Sequence, residues 1–236
     1  MILLCKMNFA FIHIYKDILF GKILTYSIKL HHPNSSVIQI SDLNAKKIED
    51  VDYIERKKFY YETIMYDFIK AQRDIINKYG PTVFLDADMI VLKPITEFFS
   101  IENYEFSVTQ RTEENKQLYF TPVLHKEKFP ELIGKKFGDE MPFNAGIYFC
   151  KNSDTLKYML SIFNKLKSNY YEWYGDQLAL RELVKINKFK IKIFNDYIYN
   201  YTPNTVDEDL SDKKVLHFKG KTKKLLVPIF KKIFNK

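Results

Sequence analysis

TVFLDADMIVL, residues 82–92, holds two carboxylates, Asp86 and Asp88, two positions apart between apolar runs. The first run reads as a short buried strand that ends in an acid. Alternate residues of an extended segment point to the same side, so both acids can face one site. Two like charges held together away from water are costly unless a cation or hydrogen-bond donors offset them. A hard divalent ion does this well, since Mg²⁺ or Mn²⁺ takes one or two carboxylates together with phosphate oxygens. The other reading is a solvated turn after a strand, against which the apolar flanks argue.

Outward from this stretch, strands and helices alternate. NFAFIHIY (8–15) reads as a buried strand, 17–32 as a helix, and VIQI (37–40) as a second strand beyond the turn at Pro33–Ser36. Strand–helix–strand is the usual opening of a parallel sheet. Residues 42–58 are polar and read as irregular or weakly helical. Apolar Ile64, Phe68, Ala71 and Ile75 recur every three or four positions, so 59–79 is a long helix, stopped by Gly80-Pro81. A helical turn follows at 96–101 and a strand at 104–109. Residues 110–142 are long and polar, as loops over a site are. Strands at 143–150, 189–194 and 215–218 and helices at 153–168 and 175–186 complete the pattern. The class is α/β, with a mainly parallel central sheet flanked by helices. Ligands of such sheets bind beyond the carboxyl ends of the strands, where the acidic pair falls.

Composition narrows the function. The chain has 236 residues, which fits one domain, since domains usually run ~100–200 residues and α/β ones often exceed that. Apolar residues at 46% and aromatics at 16% supply a core and exclude a disordered chain. The two Cys exclude a disulfide framework and a Cys-based zinc site, and a reducing, cytoplasmic setting follows. The opening MILLCKMNFAF lacks a basic leader, so a cleaved signal is not expected. No run reaches the ~18 apolar residues that a membrane span requires. The net charge of +8 sits in one place. Residues 213–236 carry nine Lys and no acid, leaving 28 basic against 29 acidic residues in 1–212. A nucleic-acid protein spreads its charge over a folded face, so nucleic acid is not an expected partner.

Three further motifs stand out. In LHFKGKTK (216–223), His217 follows an apolar strand, Gly220 permits close backbone approach, and Lys219, Lys221 and Lys223 at alternate positions can meet phosphate oxygens. Read alone, this is a structural His beside solvated lysines. In PFNAGI (142–147), Asn144 and two small residues interrupt an apolar strand, which marks either a close neighbour of the backbone or a bulge. In YGDQL (174–178), Asp176 reads locally as a helix N-cap.

Taken in order, Asp-X-Asp after a strand, Asn-Ala-Gly, Gly-Asp-Gln and His-Phe-X-Gly-X-X-Lys resemble the retaining GT-A glycosyltransferases. The likeness is to glycosyltransferase family 8, the glycogenin and bacterial lipopolysaccharide galactosyltransferase group. It spans roughly residues 8–223. It implies a Rossmann-like GT-A fold for a domain over 1–224. It also implies a Mn²⁺ or Mg²⁺ ion on Asp86, Asp88 and His217, binding the diphosphate of a UDP-sugar. On the same basis Ala87, Gly220 and Lys223 contact the donor, and Lys70, 16 residues before Asp86, approaches it; a solvated helix lysine is the local alternative for Lys70, and Arg73 shares its face. Tyr15 is placed to stack on uracil with His13 beside it, although both suit a core equally. Asp42, after the second strand, either bonds the base or ribose or closes a turn. Asp176 falls beside the sugar as nucleophile or supporting group, with Gln177 and Asn144 orienting sugar hydroxyls. The family's Pro-Trp after the last motif lysine is replaced by Lys224-Leu225, a departure on the acceptor side.

The implied reaction moves a hexose to a hydroxyl of a glycan or lipid-linked saccharide with retention of configuration, in polysaccharide biosynthesis. Two other readings compete. A haloacid-dehalogenase-like phosphatase also has Asp-X-Asp after a strand, but near its start and with a later acidic pair in a metal loop. A catalytically degenerate nucleotide-sugar-binding module would keep the ligands and lose turnover. Residues 225–236 form a basic amphipathic tail, with Leu225, Leu226, Val227, Ile229, Phe230, Ile233 and Phe234 among lysines and Pro228 breaking or starting a helix. It either rests on an anionic inner membrane face as a peripheral anchor or packs on the body with its lysines in water.

Overall fold

The computed structural model describes residues 7–14, 18–99, 103–121 and 128–235. Seven strands form the main sheet: β1 (Asn8–Ile12), β2 (Ser36–Ser41), β3 (Tyr53–Arg56), β4 (Thr82–Asp86), β6 (Phe106–Gln110), β7 (Phe143–Cys150) and β8 (Ile191–Asn195), in the order β3-β2-β1-β4-β7-β6-β8. All run parallel except β7, which pairs antiparallel with both β4 and β6. A separate two-stranded ladder joins β5 (Met89–Val91) to β9 (Val215–His217).

The period of two along each strand divides the apolar residues between two layers. Ala10, Phe84, Tyr148 and Cys150 face helices α2 (Ile64–Tyr79), α3 (Ser153–Phe163) and α4 (Gly175–Lys185), meeting Ile75, Met159, Phe163 and Leu180. Phe9, Phe11, Val83, Leu85, Ile147 and Phe149 face the other way, toward Leu24 and Ile28 of α1 (Leu19–His31) and toward Ile95 and Phe98. The sheet is thus buried on both sides, which is why its strands read as continuous apolar runs.

Three stretches differ from the sequence expectation. Residues 42–58 contain β3, a strand at the sheet edge with Tyr53 and Arg56 exposed; open to water, it lacks the apolar run that reveals a strand. Residues 110–142 are not structureless. Helices at Glu113–Gln117 and Phe137–Glu140 lie there, and Phe120, Phe129, Leu132 and Met141 build a small core with Tyr170 and Leu178. The helix expected over 153–168 stops at Phe163.

The basic segment after Lys224 is part of the packed body. Its helix α5 (Leu226–Phe234) buries Leu226 and Ile229 against Ile23, Ile90, Leu216 and Phe218. Tyr26 of α1 meets the rings of Phe230 and Phe234 edge-on, at 5.6 and 5.7 Å. Pro228 falls in the first turn, where its missing N–H costs no helical hydrogen bond. Lys231 and Lys232 face water, and Lys232 pairs with Asp207 at 2.9 Å. Among the described residues no helix is long and apolar enough to cross a membrane.

Candidate functional site

β4 ends at Asp86, the chain turns through Ala87 and Asp88, and β5 begins at Met89. The ladder sets Met89 opposite His217, and the Phe218 N–H donates to the Asp88 carbonyl at 3.0 Å. His217 Nε2 is thereby brought to 3.3 Å from Asp86 Oδ2 and 3.3 Å from Asp88 Oδ1. One ligand atom from each of the three residues lies within 4.8 Å of the other two.

Second neighbours fix how these atoms point. Thr109 Oγ1 donates to the Asn144 carbonyl at 3.4 Å and accepts from Asn200 Nδ2 at 3.0 Å. That turns Asn200 Oδ1 toward His217 Nδ1, 2.8 Å away, so Nδ1 carries the proton and Nε2 presents a lone pair to the carboxylates. Burial, then the Lys219 charge, drives the imidazole down to about 4 despite Asp88, so it is neutral at pH 7. Burial works to raise Asp88, but His217 and Lys223 outweigh it and hold its carboxyl at about 2. Once the imidazole is neutral, Lys223, 2.8 Å from Asp88 Oδ2, carries that offset. Asp86 is open to the cleft, with 55% of its side chain exposed, and is raised by the surrounding protein and by Asp88 and Asp176.

Two carboxylate oxygens and one imidazole lone pair thus converge. Acceptors this close repel unless a proton or a cation lies among them, and the nearby Asp88 charge is part of what raises Asp86. This donor set fits a divalent ion: carboxylates suit Mg²⁺ and Mn²⁺, and the neutral imidazole is a common transition-metal ligand.

Gly146 explains the Asn-Ala-Gly motif. Along β6 and β7, Val108 faces Tyr148 but Thr109 faces Asn144, so residues 145–147 bulge. Asn144 is buried and its Oδ1 accepts from the Gly146 N–H at 3.0 Å, holding the bulge closed. A Cβ on Gly146 would lie 2.5 Å from two atoms of the His217 ring. The close neighbour expected from the sequence is therefore the imidazole itself.

Asp86, Ala87, Asp88, Asp176 and Lys223 share a cleft of about 670 Å³ with His13, Gln72 and Trp173. Burial pushes Asp176 up to about 6, although the Gln177 N–H donates to it at 2.8 Å and Arg111 lies near. Arg111 donates to Gln177 Oε1 at 2.6 Å and to the Met141 carbonyl at 2.8 Å, which holds the Gln177 amide next to Asp176 in the chain. Lys219 is driven down to about 8 by burial and then by Arg111. Two desolvated cations beside the acidic cluster suit an anion. Gly220 has φ +52 and open space where a Cβ would stand, so backbone conformation selects glycine there and leaves room above it.

The remaining sequence candidates lie elsewhere. Lys70 is exposed on α2 and is not among the cleft-lining residues, whereas Ile69 and Gln72 are. Arg73 pairs with Asp74 at 3.1 Å. Asp42 Oδ1 accepts from the N–H groups of Asn44 and Ala45 at 3.1 and 2.6 Å, which closes a turn after β2. Tyr15 lies outside the described residues. Sequence reasoning passed over Asn200 and Arg111, which act through partners distant in the chain and carry no local pattern.

No sequence-family model matches the chain, and no curated protein matches it by sequence. Solved structures do match its fold. A glycosyltransferase involved in the glycosylation of the major capsid of PBCV-1 superposes with a TM-score of 0.61 over 94% of this chain and 98% of its own, at 14% identity. The galactosyltransferase LgtC, in complex with donor and acceptor sugar analogues, gives 0.51 over 91% of this chain and 87% of its own, at 16% identity. An active-site variant of LgtC gives 0.53 over 91% and 88%, at 14% identity. These neighbours are glycosyltransferases of the group whose motifs the sequence resembles, and the fold they share with this chain is GT-A.

Proposed function

We propose that this GT-A chain is a metal-dependent glycosyltransferase that moves a hexose from a UDP-sugar to a hydroxyl of a saccharide or lipid-linked acceptor, with retention of configuration. The observation that carries this is the convergence of Asp86, Asp88 and an Nε2 lone pair of His217 at the strand ends of a glycosyltransferase fold. The phosphatase reading has no such scaffold, because its acid pair belongs to a different fold.

A divalent ion held by these three residues would neutralise charge that grows on the departing diphosphate. The chain's own cations act on the same charge. Lys223 stands at Asp88 and Lys219 lies half-buried beside the cluster. Both would stabilise the leaving group more as it separates, which is how preorganised charge lowers a barrier. Asp176 would face the sugar, where it supports the cationic anomeric carbon or attacks it. Arg111 fixes Gln177, which then presents its amide toward sugar hydroxyls. The cytoplasmic setting and a place at a membrane surface belong to this proposal, with Lys231 and Lys232 on the exposed side of α5 as the groups that would meet anionic lipid.

Incubation of the protein with a panel of nucleotide-sugars, with Mn²⁺ or with EDTA, and assay of nucleotide release tests the proposal. Release from a UDP-sugar with Mn²⁺ and none with EDTA is expected. Asp88→Asn should abolish that release with the fold intact, and normal release from this variant would sink the assignment.

A further inference from the structure

Trp173 is the single tryptophan of the chain, and 54% of it is exposed. So large an apolar ring is usually well buried. It stands in the wall of the cleft that holds Asp86, Asp88 and Asp176.

Its pose is built in. The Trp173 N–H donates to the Asn169 carbonyl at 3.3 Å. Tyr174 follows with φ +68, a left-handed conformation that costs a bulky residue strain and persists where surroundings impose it. The Tyr174 ring is anchored between Phe120 and Phe129, at 5.8 and 5.3 Å. The Trp173 and Tyr174 rings meet edge-on, their centroids 6.1 Å apart at 76°. Tyr61, 67% exposed, lines the same cleft, with Lys128 5.8 Å from its ring centre and paired with Glu172. The rim is therefore aromatic, fixed and without net charge.

We propose that Trp173 is the platform on which a pyranose ring of the acceptor stacks; this rests on the transferase reading above. The apolar C–H face of a pyranose matches a fixed, neutral aromatic face, and its equatorial hydroxyls remain in water. The acceptor unit next to the reacting hydroxyl is accordingly a saccharide.

The lone tryptophan is its own probe. Emission excited to exclude tyrosine is followed while lactose, maltose and cellobiose are each titrated into full-length protein holding Mn²⁺ and UDP. A saturable blue shift with at least one disaccharide is expected. With that disaccharide as acceptor, Trp173→Ala should raise its KM by about 10-fold or more, and Trp173→Phe should keep it near native. No emission change with any disaccharide, or an unchanged KM in Trp173→Ala, overturns the platform. A shift complete with UDP alone, with weaker UDP binding by Trp173→Ala, overturns it in favour of a base-stacking residue. Lack of Mn²⁺-dependent UDP release by the native protein is a separate failure: it sinks the transferase reading, and the platform with it.

Discussion

Replacing Asp176 with Asn should make the protein more stable, by an amount that depends on pH. In the folded chain burial lifts the Asp176 carboxyl from 3.8 to about 6. An acid raised on folding binds its proton more tightly in the native state. Its contribution is complete below 3.8, falls as pH rises toward 6, and is flat above. About two units at 1.36 kcal/mol each make the ionised carboxylate cost ~3 kcal/mol at neutral pH. Asn keeps an oxygen for the Gln177 N–H and carries no charge to desolvate. Urea unfolding in EDTA should therefore show Asp176→Asn gaining ~3 kcal/mol at pH 7.5, roughly half that at pH 5 and almost nothing at pH 3.5. Sugar transfer should fall steeply in the same variant, since stability is commonly given up at a working site. A variant that is less stable at pH 7.5, or equally stabilised at all three values, would refute the reasoning.

Gly146→Ala sets a methyl 2.5 Å from the His217 ring, so it should cost ~1–3 kcal/mol in urea unfolding and weaken Mn²⁺ binding by calorimetry; unchanged metal affinity would contradict the packing argument. Asn200→Ala removes the acceptor that fixes the imidazole tautomer and should lower Mn²⁺ affinity ~10–100-fold with the fold retained by circular dichroism. Lys219, held at about 8, should take up a proton as UDP and Mn²⁺ bind near pH 8, and hardly any near pH 6.5 where it is already charged; calorimetry in two buffers of different ionisation enthalpy measures the difference.

The fold was legible where burial leaves a mark. β1, β4 and β7 are covered on both faces, and each shows as an apolar run. β3 is an open edge and left no such trace. The acids of 86 and 88 were visible because they interrupt apolar sequence, and His217 because a strand precedes it and glycine and lysine follow. Their meeting depends on the β5–β9 ladder; β9 read as a short strand, but the three residues of β5 continue the apolar flank of the acids and left no separate mark. Lys70 shows the limit of counting along a helix. Each residue turns about a quarter of a circle, so Ile69 and Gln72 line the cleft while Lys70 stays in water. Asn200 and Arg111 were illegible for another reason. Each works by hydrogen-bonding a residue far along the chain, and a side chain of that kind looks like any other polar residue until the fold is closed.

The two-stranded ladder also fixes the order in which the site can come into being. Asp86 belongs to the seven-stranded sheet, whereas Asp88 adjoins the ladder and His217 lies within it. Strand pairs that close long loops form late and open early, because the loop's entropy is lost before the contact repays it. A chain whose main sheet is already complete thus lacks one of the three convergent atoms until β9 docks on β5. Fraying of that short ladder alone would silence the centre and leave the bulk of the molecule intact, so loss of function on warming should precede loss of the sheet.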